Sequence, residues 1–250
     1  KSKITSKTKA ILLVHQIGMP ANIAGFRKLC DEHNLVLIED AACAIGSSID
    51  GKRIGSHSDF VCFSFHPRKV ITTGDGGMVT TSNPQFTERL KLLRQHAMSV
   101  NDRVRHESTK VIFEEHLELG YNYRLTDIQA SIGIHQLKKL DEMVNARRAI
   151  AKKYIDELQQ YDFIGLPIEQ KGIISNYQSF SIYIDKTSPV SRNDFMQAML
   201  DVGIATRKGI MTAHREPAFA YMNEVQLPSS EDLADNSVLL PLYAQMSNDD

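Results

Sequence analysis

In the first 140 positions, apolar residues fall into short unbroken runs separated by stretches with helical spacing. The run at 10–15 is followed by Asn22, a capping residue ahead of Phe26, Leu29 and Cys30 on one helical face, and then by a second run at 35–39. Strand, helix and strand in that order predict a βαβ unit with parallel strands. Residues 60–64 and 77–81 read as further strands. Asn83-Pro84 supplies an N-cap and first turn for a helix that buries Phe86, Leu90 and Leu93. Runs this apolar predict a mainly parallel sheet covered on both faces. Between 98 and 114 the chain turns polar and charged without a period, which predicts an exposed, mobile loop able to cover a site.

Thr126-Asp127-Ile128-Gln129 matches a capping box, and apolar residues at 128, 132, 137, 140, 144 and 155 keep a helical face to about Gln160. One long helix joining two domains is the expectation. Beyond it, 178–184 alternates like a half-exposed strand, and 191–202 reads as a capped helix stopped by Gly203. The predicted layout is therefore α/β throughout: part of a large domain over 1–140, a linking helix over 141–160, and a smaller α/β C-terminal domain over 161–250. A strand opens almost at once near residue 10, while 246–250 resembles a helix N-cap with no helix after it. The expectation is a piece of a longer protein, truncated at both ends.

Composition narrows the function classes. The 250 residues carry 24% charged side chains that nearly cancel, to a formal net charge of −1, with no long basic stripe. Nucleic acid and membrane surfaces are thereby disfavoured as partners. Cys30, Cys43 and Cys62 are odd in number and lack paired ligand spacing, which argues against a disulfide framework or a metal site. A reducing cytoplasm fits that cysteine usage. The polar start has no signal-peptide core, and no long uncharged apolar run follows.

The chemistry centres on Lys69, which ends the run Phe63-Ser64-Phe65-His66-Pro67-Arg68-Lys69 and precedes the turn Gly74-Asp75-Gly76-Gly77. A second strand delivers Asp40 at its C-terminal end, where open α/β sheets place ligands. Pyridoxal phosphate needs an amine for its aldehyde, a carboxylate for its ring nitrogen and donors for its phosphate. Lys69, Asp40 and Ser64 supply the three. Taken singly, each residue is ordinary: a lysine near a strand end is usually a solvated charge, and an aspartate there a turn residue. The glycine turn reads as scaffolding rather than a phosphate cradle, and His15 and His66 read as packing or hydrogen-bonding histidines.

These segments together resemble the DegT/StrS-type sugar-nucleotide aminotransferases. The likeness runs from Val14-His15-Gln16-Ile17-Gly18-Met19-Pro20 through Ile38-Glu39-Asp40-Ala41-Ala42-Cys43-Ala44, Gly51-Lys52-Arg53-Ile54-Gly55 and the Lys69 segment to Gly120-Tyr121-Asn122-Tyr123-Arg124-Leu125. The resemblance implies a pyridoxal phosphate-dependent transferase fold of the aspartate aminotransferase type. It also implies that Lys69 holds the cofactor as a Schiff base, Asp40 pairs with its ring nitrogen and Ser64 binds its phosphate. Asn122 would reach the neighbouring subunit's site in a homodimer with shared active sites. Cys43 stands where Gln or His commonly contacts the cofactor, and a thiol is a poor hydrogen-bonding substitute. Arg207 and His214 lie in segments resembling those near the sugar-nucleotide site.

The implied reaction is transfer of an amino group, from glutamate, to a nucleotide-linked keto sugar, in amino-sugar or surface-polysaccharide synthesis. The family's N-terminal phosphate loop and ring-stacking aromatic have no counterpart before Lys1, and its last helices are also missing. Two other functions compete: a related dehydratase, whose branch carries histidine at the Lys69 position, and a noncatalytic cofactor-binding or regulatory protein.

Overall fold

The computed structural model describes residues 1–100, 102–222 and 224–247, so the capping signal at Asn248, Asp249 and Asp250 lies outside the described residues. The chain divides into two compact units. One comprises Lys1–His15, Ala21–Ile45 and Lys52–Lys139; the other comprises Gln16–Pro20, Gly46–Gly51 and the chain from Leu140 onward.

In the first unit, β1 (Ala10–Val14), α1 (Ile23–His33) and β2 (Val36–Asp40) form the expected βαβ unit, with Val14 opposite Asp40 in parallel register. Asn22 accepts the Gly25 N–H at 3.0 Å, capping α1. This helix buries Ile23 and Cys30, whereas Phe26 is left exposed. The row between the two buried residues belongs to Arg27, whose guanidinium donates to Asp59 at 3.0 Å. The same Asp59 oxygen accepts the Leu37 N–H at 2.9 Å, tying helix to strand.

The strand β3 (Phe60–Ser64) extends the sheet in parallel with β2, and β4 (Gly77–Thr80) then runs antiparallel to β3. The sheet is thus mixed, in the order β1-β2-β3-β4. A parallel partner needs a crossover, usually a helix, and the 65–76 connection contains none, so the chain reverses. Coverage also departs from the expected two-sided burial. Leu13, Leu37, Glu39 and Val61 share a closed face at 6% exposure or less, while Leu12, Val14 and Val79 stand 63%, 45% and 42% exposed on the other. A single crossover helix covers a single face of these strands.

The helix α2 (Pro84–Leu93) starts at Asn83, which accepts the Gln85 N–H at 2.8 Å. It buries no residue fully. Phe86 is half-buried and stacks on Phe60 at 4.5 Å between ring centroids. The expected loop over 98–114 contains a short helix, α3 (Asp102–Glu107), and its base is closed by the Ser99 N–H donating to the Glu115 carbonyl at 2.8 Å. The helix α4 (Asp127–Lys138) begins with the predicted capping box between Thr126 and Gln129. The single long helix expected through Gln160 is two helices, since α4 closes at Lys139 and α5 (Leu140–Leu158) begins directly after it. Near-helical geometry at Lys139 lets apolar spacing run across the break unnoticed.

In the second unit α5 buries Leu140, Val144, Arg147 and Ala151. Its partner is an antiparallel sheet built from β5 (Ile164–Gly165), β6 (Phe180–Ile184), β7 (Arg207–Lys208) and β8 (Ser237–Leu240), in the order β7-β8-β6-β5. Phe180, Ile182, Ile184, Val238, Leu240 and Ala151 form its core, and Tyr154 of α5 stacks on Phe180 at 5.0 Å. The Arg147 guanidinium is spent on the carbonyls of Tyr177, Gln178 and Leu242. The helix α6 (Arg192–Asp201) is capped by Ser191 and left through Gly203 at φ +84°, as expected; α7 (Pro228–Asn236) leads into β8. Among the described residues no helix is long and apolar enough to cross a membrane.

Candidate active site

Three of the sequence-predicted residues gather at one edge of the first unit's sheet. Asp40 is the last residue of β2 and Ser64 the last of β3, so both lie at the C-terminal ends of parallel strands. Asp40 is in register with Cys62, which places Ser64, two residues on, on the same face. Burial first, then the neighbouring Asp40 charge, pushes the Cys62 thiol pKa up. That is the open face of the sheet, the one carrying Leu12 and Val14.

Asp40 is held in place by its backbone and by one of its oxygens. Its carbonyl accepts the His15 N–H at 3.0 Å, and Oδ1 accepts the Ala42 N–H at 3.0 Å. Among the described residues the second carboxylate oxygen has no hydrogen-bond partner. Directly beneath, on the closed face, His15 and Glu39 are both fully buried and meet at 2.7 Å, while His15 Nδ1 accepts the Ala21 N–H at 3.0 Å. His15 is thus a packed, hydrogen-bonded histidine, as its sequence reading had it. The buried role of the neighbouring Glu39 was missed, since in the sequence it only closes the apolar run at 35–39.

Lys69 sits in the loop 65–76 that carries the chain from β3 back into β4. The loop is pinched at its base, where the Phe65 N–H donates to the Gly76 carbonyl at 2.8 Å and the Thr73 N–H to the Phe65 carbonyl at 3.1 Å. Within it the Lys69 N–H donates to the His66 carbonyl at 2.9 Å. The Lys69 side chain reaches toward the turn that follows Asp40, and its Nζ donates to Cys43 Sγ at 3.1 Å. Ser64 Oγ accepts the His66 N–H at 3.3 Å, and His66 Nδ1 in turn accepts the Arg68 N–H at 3.2 Å.

An amine, an available carboxylate oxygen and a hydroxyl at one sheet edge match the aldehyde, basic ring nitrogen and phosphate of pyridoxal phosphate. The residues present fit that group. Cys43 belongs to the same grouping through its contact with the amine.

Asn122 is placed differently. Its side chain is exposed, and its segment is held to the end of α2: the Tyr121 N–H donates to Leu93, the His96 N–H to Tyr121 and the Tyr123 N–H to Arg94. Gly120 lies so close to the His96–Ala97 backbone that any β-carbon would overlap it, which explains the glycine opening this motif. Among the described residues no hydrogen bond joins Asn122 to Lys69, Asp40 or Ser64.

Arg207 and His214 belong to the second unit. Arg207 is exposed on the edge strand β7. His214 is 5% exposed, with Nε2 on Glu231 Oε1 at 2.9 Å; that oxygen also accepts the Leu227 N–H at 2.7 Å. The Leu227 N–H, then His214, hold the Glu231 carboxyl below its ordinary range. His214 therefore ties the 213–215 turn to α7.

A family model described as the DegT/DnrJ/EryC1/StrS aminotransferase family matches residues 1–250. An uncharacterized protein of Methanocaldococcus jannaschii is 36% identical over 255 residues, covering 100% of this chain and 66% of its own length. The GDP-perosamine synthase of Vibrio cholerae is 34% identical over 254 residues, covering 100% of this chain and 65% of its own. The chain thus spans about two thirds of the length of these curated relatives. Among solved structures, S. venezuelae DesV, determined in complex with a ketimine intermediate, superimposes with a TM-score of 0.85 at 32% identity. It covers 98% of this chain and 63% of that one.

Proposed function

Because the chain belongs to the DegT/DnrJ/EryC1/StrS aminotransferase family, we propose that the full-length protein transfers an amino group, with glutamate as donor, to a nucleotide-linked keto sugar. The cofactor is pyridoxal 5'-phosphate. The observation that carries the reading is the arrival of Asp40 and Ser64 at one sheet edge, with Lys69 held to Cys43 in the turn after Asp40 and an Asp40 oxygen still available to a ligand. The name of the Vibrio relative supports a nucleotide-linked sugar as substrate.

Bound there, pyridoxal phosphate supplies an aldehyde that takes up the amino group and a ring that takes up the electron pair released at carbon. The Asp40 carboxylate keeps a proton on the ring nitrogen, the condition for that electron uptake. Ser64 Oγ donates to the phosphate. Lys69 Nζ would hold the cofactor's aldehyde and, as a free amine, could accept and return a proton there. Cys43 Sγ, at 3.1 Å, keeps the amine on the Asp40 side of the loop. A lysine in this position separates the reading from the dehydratase branch.

In this reading the first unit is part of a large cofactor-binding domain and the second is a smaller C-terminal domain. Arg207 and His214 serve the sugar-nucleotide side, and Asn122 serves the partner subunit of a homodimer. Apolar side chains left exposed in the first unit, among them Val111, Phe113, Leu119, Tyr123 and Ile128, each at least 73% exposed, support a second copy as their cover. The three free thiols suit a reducing cytoplasm, and the product would enter amino-sugar or surface-polysaccharide synthesis.

The test is a half-reaction. Full-length, cofactor-loaded protein mixed with glutamate is expected to pass spectrally from the aldehyde to the amine form, and a panel of nucleotide-linked keto sugars should identify the one that restores it. No spectral response to any amino donor would overturn the reading in favour of a noncatalytic binding protein.

A further inference from the structure

The helix α4 carries a polar row that the reaction does not use. Gln129, Gly133 and Gln136 are spaced i, i+4 and i+7, so they share one face of the helix. All three meet the loop that holds Lys69. Gln129 Nε2 donates to the Asp75 carbonyl at 2.9 Å, and Gln136 Oε1 accepts the Thr72 N–H at 3.4 Å. Between them, Thr73 packs so closely on the helix that a β-carbon at Gly133 would stand 3.1 Å from Thr73 Cγ2.

We infer that this face is the seat of the lysine loop and that Gln129 is a positioning residue for Lys69. Its amide is used at both ends: Oε1 accepts from the Thr126 N–H at 3.2 Å and from the Thr126 hydroxyl at 2.9 Å, closing the helix cap, while Nε2 holds Asp75. The start of α4 and the turn 72–76 are thereby fixed to each other. Inside the turn, Thr73 Oγ1 donates to the Asp75 carbonyl at 2.6 Å and Thr72 Oγ1 to the Phe65 carbonyl at 2.8 Å. A shift at Asp75 therefore passes to Thr72 and to Phe65, the residue that opens the loop. Gly76, at φ +141°, completes the fit, because a β-carbon there would stand 2.8 Å from Thr73 Oγ1 and 2.9 Å from Leu125 Cδ1. The strand pinch fixes the loop's ends, and the helix face fixes its height above the sheet edge.

This inference rests on the proposed role of Lys69, and its test separates the two. Full-length wild-type protein is loaded with pyridoxal phosphate and its dissociation constant measured above the carboxylate titration range. Borohydride then makes any link to Lys69 permanent, and mass analysis reads it. If the wild type binds no cofactor or is not labelled at Lys69, the functional reading fails, and the seat has no lysine chemistry to support. Gln129→Glu keeps the acceptor that closes the cap but removes the donor to Asp75. The expected result is a dissociation constant raised about five- to tenfold and slower labelling, with unchanged far-UV circular dichroism.

Gly133→Ala favours the helix but presses on Thr73, and is expected to weaken cofactor binding about threefold; Thr73→Ser in the same protein removes the opposing methyl and should restore it. Wild-type affinity in both Gln129→Glu and Gly133→Ala would overturn the inference. So would failure of Thr73→Ser to rescue, since the contact would then not be the cause.

Discussion

The Lys69 loop and the 207–214 segment both carry residues that the sequence marks for function, yet they use those residues differently. Around Lys69 the strands end where chemistry is needed. Asp40 and Ser64 reach the same sheet edge, the amine meets Cys43, and Asp40 retains an oxygen for a ligand. In the second unit, His214 is buried and committed to Glu231, while Arg207 stands exposed on an edge strand. The lesson is that a reactive side chain becomes a site through what its neighbours leave unsatisfied. A histidine whose ring nitrogen already meets a carboxylate ties one segment to another.

Changes in the two regions should therefore part company. The largest effect belongs to Lys69→Ala, which is expected to cost at least about 10³-fold in turnover while the folded protein melts near the wild-type temperature. Turnover within tenfold of wild type would erase the contrast. Asp40→Asn comes next: losing the charge opposite the ring nitrogen should slow the donor half-reaction about 10²-fold, with cofactor still retained. A slowdown confined to cofactor loading would make Asp40 a binding residue alone.

His214→Ala is expected to act on stability, lowering the melting temperature through the lost tie between the 213–215 turn and α7, with the donor half-reaction unchanged. A raised KM for the sugar substrate alone would sharpen the comparison by giving the ring a second task.

The smallest effect is one of pH. Because the Leu227 N–H and His214 hold the Glu231 carboxyl low in the folded state, its contribution to stability is complete above the ordinary carboxylate range. That contribution is lost as pH falls through the lowered folded value. The melting temperature should accordingly drop on acidification, and Glu231→Gln should flatten part of that drop. An identical acid profile in the variant would show that other depressed carboxylates, such as Asp235 beside Arg215, carry the whole effect.

Much of this arrangement was legible in the sequence, because local signals act locally. Asn22, Asn83, Thr126 and Ser191 cap the helices they precede, and the βαβ unit delivers Asp40 to a strand end. What escaped depends on partners far along the chain. The direction of the strand after the lysine loop is set by a connection that holds no crossover helix. The break at Lys139 leaves the apolar spacing intact. Phe26 yields its place to Arg27, whose partner Asp59 lies 32 residues on. The partner of His214, Glu231, lies 17 residues later and has no local signal. The role of Gln129 was half visible: its capping box is a local signal, but its hold on Asp75 spans 54 residues.

The proposed chemistry turns on Lys69 carrying the cofactor. Full-length protein loaded with pyridoxal phosphate, reduced with borohydride, digested and mapped by mass spectrometry tests it directly. One modified peptide is expected, bearing the reduced cofactor on Lys69, and none when glutamate has first converted the protein to its amine form. Modification at a different lysine, or none at all in cofactor-saturated protein, would contradict it.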